Sequence, residues 1–427
     1  MFPCLPQVSI RLVFVADRAW LTYKQGMPHR LITDQTRFEE LCEHIRQAGE
    51  VAFDTEFLSE HTYRPELCLL QFATRERSAA VDPFLVRDLS PWWSLMASPD
   101  VTVVVHGGRE EVRFCLWCAR TRPGKIFDVQ IAEGLLSRSF PLNYNAIVNR
   151  VLNVRTHGKE TRTDWRRRPL TDRQIAYAIE DVEHLLEIYA RESRLLAERG
   201  RSEWAQAEFD RFVNDLEQEP LRENWRRLPG VQSLSARELA VARELYQWRE
   251  LEGQRRDKPV RKVLRDDLII ELAHRHPRDV ADLLATRDMN RSDYKRAAPE
   301  MLAAVERGLA LPREQCPEVK RSEKEHDEQI LAQLLAIALA NRCAQLEVAV
   351  GLVGTTADLR HLVRWQVFGD KTGGTPRLMQ GWREEVCGDL LTDVLAGKIA
   401  LRVADPRSDH PLVFERQDSS DGVESRE

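Results

Sequence analysis

Apolar residues form short runs in the first half of the chain, and these runs predict strands that alternate with helices. The segment GEVAFDTEF follows the amphipathic stretch TRFEELCEHIRQAG, which predicts a strand entered from a helix. CLLQFAT, AAVDPF and VTVVVHGG add apolar runs of strand length, and helical spacing dominates from REEVRFCLWCAR to EDVEHLLEIYARESRLLAERG. Interleaved strands and helices predict an α/β domain over residues 28–210.

The second half has helical spacing, with no convincing strand until its very end. Leu239, Ala242, Leu245 and Trp248 lie on one face of a predicted helix. Two small all-α domains are therefore expected after the α/β domain. The predicted divisions are an N-terminal extension (1–27), the α/β domain (28–210), a linker (211–232), a helical domain (233–313), a linker (314–325), a second helical domain (326–404) and a disordered tail (405–427).

Composition is that of a globular protein, with 43% hydrophobic and 31% charged residues and a net charge of −5. No apolar run approaches the ~20 residues that cross a bilayer, so we expect no membrane partner and a cytoplasmic location. Basic residues concentrate locally, in residues 153–173 and 255–265. Each stretch predicts either a solvated face or a surface for nucleic acid.

Asp54 and Glu56 are the first candidates for chemistry. They lie two apart on a predicted strand, so their side chains point to the same face. Neighbouring carboxylates repel each other unless a cation lies between them, and hard divalent cations prefer oxygen ligands. The pair predicts a metal site, and two solvent-facing acids on an edge strand are the alternative.

Acids at two further positions are candidates of the same kind. Tyr177 and Asp181 are spaced i, i+4 on a predicted helix and share one of its faces. Glu111 follows a glycine pair at the start of another helix, with Glu110 beside it, where the helix dipole alone would favour acids. Asp128 in FDVQIA predicts an N-cap.

The order of these motifs resembles the DEDD exonuclease superfamily. The stretches VAFDTEF, VVVHGGREEVRF and FDVQIAEGLL carry the likeness, and Tyr177 with Asp181 places it in the tyrosine subgroup. The stretch TDWRRRPLT narrows the resemblance to the ribonuclease D family. The resemblance implies a ribonuclease H-like mixed sheet flanked by helices, and 3′→5′ exonuclease activity.

Carried over by position, the resemblance implies the metal ligands Asp54, Glu56, Glu111 and Asp181, and makes Tyr177 the residue that orients the attacking water. It implies two Mg²⁺ or Mn²⁺ ions, nucleoside 5′-monophosphate products and a role in trimming 3′ extensions of tRNA precursors. The family usually has Asp where this chain has Glu111. Three outcomes are open: a backbone shift, substitution by Glu110, or weakened activity.

Residues 235–313 resemble the HRDC domain, a small helical nucleic-acid-binding module, and residues 326–404 resemble a second, HRDC-like domain. The alternative is that both domains are scaffolds that shape the entrance to the catalytic domain. We expect a monomer that contacts RNA phosphates through its two basic stretches. The expected contacts are Arg166, Arg167, Arg255, Arg256, Lys258, Arg261 and Lys262.

Two other functions remain open on the residues alone. One is a DNA 3′→5′ exonuclease, because no motif reveals recognition of the ribose 2′-hydroxyl. The other is a catalytically weakened RNA-binding protein, which Glu111 favours.

Overall fold

The computed structural model describes residues 30–156, 163–219, 223–318 and 328–417. The predicted N-terminal extension (1–27) lies outside these residues, as do residues 418–427 of the predicted tail and residues 319–325 of the predicted second linker.

A six-stranded mixed sheet forms the centre of the N-terminal domain. Its strands are β1 (Arg30–Ile32), β2 (Glu50–Leu58), β3 (Glu66–Ala73), β4 (Ser78–Val81), β5 (Thr102–Val105) and β6 (Ile126–Asp128). Their order is β1-β4-β3-β2-β5-β6, and β3 alone runs antiparallel to its neighbours. The carboxyl ends of the other five strands therefore share one edge of the sheet.

Helices cover both faces of the sheet, as expected. They are α1 (Gln35–Ala48), α2 (Ser90–Met96), α3 (Arg109–Cys118), α4 (Val129–Leu136), α5 (Tyr144–Leu152), α6 (Asp172–Glu183), α7 (Leu185–Glu198) and α8 (Ser202–Gln218). Side chains alternate along β2, so Val51 and Phe53 enter the core beneath α1, α2 and α3, while Ala52 enters the core on the opposite face. Asp54 and Glu56 follow Ala52 on that second face.

The middle of the chain forms a helical domain with its own core. Its helices are α9 (Ala236–Arg256), α10 (Val260–Val263), α11 (Asp266–Arg275), α12 (Val280–Leu284) and α13 (Ser292–Ala310). Ser235 begins α9 with a capping box, in which its hydroxyl accepts from the Glu238 amide. Leu239, Leu245 and Tyr294 lie in the core, which is separate from the three hydrophobic clusters of the sheet domain.

The C-terminal unit does not have a core of its own. Its helices are α14 (Gln329–Leu346), α15 (Val350–Val353), α16 (Thr356–Val367) and α17 (Asp389–Leu395), with a π-helical turn at Glu384–Gly388. Leu335, Leu352 and Trp382 belong to the same hydrophobic cluster as Leu135 and Phe209 of the sheet domain. The second helical domain is therefore packed onto the α/β domain as one body.

The predicted linker 211–232 is wrong over most of its described length. Helix α8 continues to Gln218, because Val213 and Leu216 recur at helical spacing and pack beneath the sheet. Trp225 and Val231 then join the core of the middle domain. Apolar side chains at both ends of this segment are therefore buried in the cores of the two domains, and few of its described residues form a simple linker.

The predicted disordered tail is also wrong for residues 405–417. Strands β7 (Ile399–Val403) and β8 (Leu412–Arg416) form an antiparallel hairpin that ends the C-terminal unit. The buried Asn341 amide holds it, donating to the Leu412 carbonyl at 2.9 Å and accepting from its amide at 2.9 Å. The Asn341 bonds could not be foreseen from the sequence, although the apolar run of Leu412, Val413 and Phe414 was a local signal for a strand.

Across the described ranges, no helix is long and apolar enough to cross a membrane.

Candidate active site

The five residues that the sequence proposed for catalysis come together in the structure. Asp54 and Glu56 lie on β2, Glu111 lies in the first turn of α3 after β5, and Tyr177 and Asp181 lie one turn apart on α6. Glu111 is in hydrogen-bond contact with Asp54, and Tyr177 is in hydrogen-bond contact with Asp181. Asp54 and Glu56 are in turn close enough to Asp181 to feel its charge.

Crowding of the four carboxyl groups changes their acidity. Burial, followed by repulsion from Glu111, Asp181 and Glu56, raises the pKa of Asp54 well above its ordinary value. Burial and the charges of Asp181 and Glu111 raise the pKa of Glu56 to about 8. Burial raises the pKa of Asp181 to about 7, which the hydrogen bond from Tyr177 opposes. Full ionisation of the four carboxyl groups is therefore unfavourable without a bound cation.

Glu111, and not Glu110, is the acid that faces the site. Its side chain is only 5% exposed, and its carboxylate accepts a hydrogen bond from the Thr55 hydroxyl on β2. Burial raises the pKa of Glu111 to about 7, although the Thr55 hydrogen bond opposes the shift. Glu110 instead pairs with Arg113 one turn along α3. The structure thus brings Glu111, and not Glu110, next to Asp54.

Asp128 fixes the turn that leads into α3. As predicted, it caps α4, accepting from the Gln130 amide at 2.9 Å. It also accepts from the amides of Gly107 and Gly108 at 3.0 Å each, which was not foreseen. Gly107 has a φ of 62°, and a Cβ on Gly108 would lie 2.4 Å from Val105. One buried carboxylate therefore sets the position from which Glu111 begins.

Aromatic residues hold α6 against the sheet. The Tyr144 hydroxyl donates to the Glu180 carbonyl, next to Asp181, and its ring lies edge-on to His106 with centroids 5.9 Å apart. The Trp165 ring lies 6.3 Å from the Tyr177 ring. These contacts position the two catalytic candidates on α6.

The donor set suits a divalent cation. Among the described residues, none of the charged neighbours that shift the pKa values of Asp54 and Glu56 is basic. Carboxylate oxygens are the ligands that Mg²⁺ and Mn²⁺ prefer. In the described part of the chain, no three Asp, Glu, His or Cys side chains are grouped so that they could hold a metal ion as they stand. The match between these residues and a divalent cation therefore rests on the chemistry of their carboxyl groups.

Most basic residues expected to contact RNA have partners within the protein. Arg166 pairs with Glu66 at 3.0 Å, and Arg261 pairs with Asp266 at 3.1 Å. Arg255 and Arg256 both pair with Glu252 on their own helix. Arg167 and Lys258 are exposed. Their role in binding RNA stays a prediction.

The loop between β2 and β3 docks onto the middle domain through the same basic run. Lys262 donates to the Glu60 carbonyl at 2.5 Å, and the Tyr63 amide donates to Asp257 at 3.0 Å. The absence of a side chain at Gly253 makes room for the Tyr63 ring, since a Cβ there would lie 3.3 Å from it. We call this set of contacts the β2–β3 latch. It ties the middle domain to the loop that follows Glu56.

Comparison with known proteins agrees with this architecture. A family model for 3′-5′ exonucleases matches residues 29–195, and an HRDC domain model matches residues 238–305. Ribonuclease D of Zymomonas mobilis is 31% identical over 388 residues, covering 88% of this chain and 96% of that protein. Ribonuclease D of a Jannaschia species is 33% identical over 383 residues, covering 88% and 97%.

A solved structure shows the same arrangement of domains. Escherichia coli RNase D, an exoribonuclease involved in structured RNA processing, superimposes with a TM-score of 0.77 at 26% identity, covering 87% of this chain and 99% of that one. The mixed sheet and the matched domains define the class, a 3′→5′ exonuclease that carries an HRDC domain. Within that class, the chain belongs to the ribonuclease D family, and it is an exoribonuclease.

Proposed function

We propose that this protein uses two divalent metal ions to remove nucleoside 5′-monophosphates from RNA 3′ ends and matures the 3′ ends of tRNA precursors. The observation that supports this most is the convergence of four carboxyl groups and a phenol from β2, α3 and α6. We further propose that it acts as a cytoplasmic monomer, since its helical units pack within the chain.

Asp54, Glu56, Glu111 and Asp181 would hold the Mg²⁺ or Mn²⁺ ions. When bound, such ions activate a water and stabilise the charge that develops on the leaving 3′ oxygen. Burial and the charges of Asp181 and Glu56 raise the pKa of Tyr177, so its phenol keeps its proton. Since that proton is donated to Asp181, the phenol oxygen can orient the attacking water by accepting a hydrogen bond from it. Thr55 holds Glu111, and Asp128 holds the turn before it.

The test is incubation of a 3′-extended tRNA precursor with Mg²⁺ or Mn²⁺, followed on a denaturing gel. We expect stepwise shortening by the wild type and none by Asp54→Ala. Glu110→Gln is the matched control, because Glu110 faces Arg113, and it should retain activity. A DNA strand of matched sequence, degraded at the same rate, would favour the DNA exonuclease.

Intact RNA in every lane, with binding retained, would instead support the RNA-binding protein without activity. Glu111 is the residue on which that alternative depends. Its contact with Asp54 supports the active enzyme, because it brings the Glu111 carboxyl group to the other acids.

A further inference from the structure

Two adjacent apolar side chains are exposed where β4 ends. Phe84 is 41% exposed and Leu85 is 56% exposed. Single exposed apolar residues are common and need no explanation. These two differ because their neighbours hold the aromatic ring in a defined position.

Asp82 organises this turn. It is fully buried, and its carboxylate accepts from the Phe84 amide at 3.0 Å. The same carboxylate pairs with both Nε and Nη2 of Arg168, at 2.6 and 2.9 Å. The Arg168 guanidinium lies 4.6 Å from the centre of the Phe84 ring. Arg168 thus covers one face of the ring and leaves solvent access to the rest of it.

The turn lies on the same edge of the sheet as the candidate active site. Strand β4 is two positions from β2, a lateral distance of about 10 Å. Arg168 also donates to the Trp165 carbonyl at 2.7 Å, and the Trp165 ring neighbours that of Tyr177. A line of contacts therefore runs from Phe84 to the residue expected to orient the water.

Two basic residues lie close in sequence to the exposed ring or to Arg168, which covers it. Arg167 precedes Arg168, and Arg87 follows Leu85 by two positions; both are exposed. Within the described ranges, neither forms an ion pair with a carboxylate. An exposed aromatic ring with two such cations on the adjoining segments matches a single-stranded nucleic acid, which offers stacking bases along a chain of phosphates.

We propose that Phe84 stacks on a base of the single-stranded 3′ segment of the RNA substrate, a few nucleotides upstream of the scissile phosphate. Arg87 and Arg167 contact the phosphates on either side. This inference rests on the proposed function, because it supplies the path by which an RNA 3′ end approaches Asp54 and Glu56.

The direct test is fluorescence of 2-aminopurine placed singly at successive positions from the 3′ end of a single-stranded RNA. The RNA is bound to the full-length protein in EDTA, which prevents metal-dependent cleavage. We expect quenching at one upstream position with the wild type, its loss in Phe84→Ala, and its recovery in Phe84→Trp. Phe368→Ala is the matched control, since Phe368 is 36% exposed in the C-terminal unit, and it should leave quenching unchanged.

Kinetics give a second readout. A base–aromatic stack supports an increase of about 10-fold in KM for single-stranded RNA in Phe84→Ala, with kcat nearly unchanged. Arg87→Ala and Arg167→Ala should each reduce the salt dependence of binding by about one unit of slope.

Outcomes separate this inference from the proposed function. If the wild type degrades RNA but no position shows quenching that depends on Phe84, the stacking site is wrong and the nuclease stands. If position-specific quenching is found but RNA is never shortened, the stacking site stands and the proposed function fails.

Discussion

Glu111 shows how a longer acidic side chain is accommodated among three other carboxyl groups. Its extra methylene would carry the carboxylate past an aspartate's position, and small misplacements at such sites can cost ~10²-fold in rate. The Thr55 hydroxyl on β2 donates a hydrogen bond to the Glu111 carboxylate. This bond fixes the carboxylate next to Asp54, whose charge it repels. Of the three outcomes left open by the sequence, substitution by Glu110 is the one that this geometry argues against.

The buried carboxyl group of Glu192 lowers the free energy of unfolding by an amount that depends on pH. It is fully buried on α7, and neither carboxyl oxygen has a hydrogen-bond partner among the described residues. Burial, and then the charges of Glu133 and Asp128, raise its pKa well above the ordinary value of 4.5. The folded state therefore holds the proton more tightly than the unfolded state does. Stability is lost as pH rises above 4.5, by up to about 1.4 kcal/mol per pH unit until the folded pKa is reached.

Glu192→Gln removes this titration. We expect its free energy of unfolding to exceed that of the wild type by a margin that grows between pH 5.5 and pH 8, reaching at least about 1 kcal/mol. Urea unfolding at several pH values measures it. Glu198→Gln, at the exposed end of the same helix, is the control and should show no such trend. Parallel curves for Glu192→Gln and the wild type would mean that Glu192 is not held protonated.

At the scale of elements, the β2–β3 latch shows that the basic run of the middle domain contacts the protein's own loop. The charge of the run alone does not suggest this role. A loop that leaves the strand of Asp54 and Glu56 is otherwise free to move, since its backbone pairs with no strand between residues 59 and 65. Lys262, Asp257 and Glu250 each contact it. The HRDC domain thereby stabilises the loop that follows the strand of Asp54 and Glu56.

Lys262→Met separates this positioning role from a direct contact with RNA. We expect amide exchange in residues 59–65 of the RNA-free protein to quicken several-fold, because one charged donor to the loop is lost. Lys258→Met, an exposed residue of the same run, should leave the loop unchanged. If Lys262 were instead a phosphate contact, the loop would exchange as before, and the salt slope of RNA binding would fall by about one.

For the whole molecule, sequence was a good guide to several elements that carried a local signal, although the helical spacing at the end of α8 was missed. The DxE pair, the i, i+4 spacing of Tyr177 and Asp181, and the interleaved elements of the α/β domain each depend on local periodicity. Contacts between distant residues gave no such signal. Three such contacts join distant positions. The bond from Asn341 to the hairpin spans 71 residues, the bond from the Gly108 amide to Asp128 spans 20, and the bond from Tyr63 to Asp257 spans 194. The FD dipeptide before α4 predicted the N-cap role of Asp128, but it gave no signal for the bonds from Gly107 and Gly108.

The largest of these long-range effects concerns how the chain folds. Residues 328–417 share a core with the sheet domain, whereas the HRDC domain between them has its own. Glu208 of α8 joins the two parts of the shared body. It is 1% exposed, pairs with Arg383 at 2.7 Å and accepts from the Trp382 indole at 3.0 Å. Hydrogen bonds from Arg211 and the charge of Arg383 outweigh burial and lower its pKa.

Glu208→Gln should therefore destabilise the shared body and spare the HRDC domain. Loss of one partner leaves Arg383 buried with an uncompensated charge, which costs about 3–5 kcal/mol. Calorimetry should show two transitions, of which only the one that includes the sheet domain moves to lower temperature. Because the folded pKa of Glu208 is lowered, the difference between variant and wild type should shrink as pH falls below the ordinary carboxyl range. Asp210→Asn, exposed on the same helix, is the control. A single transition that shifts as a whole would show instead that the β2–β3 latch couples the HRDC domain to the rest of the chain.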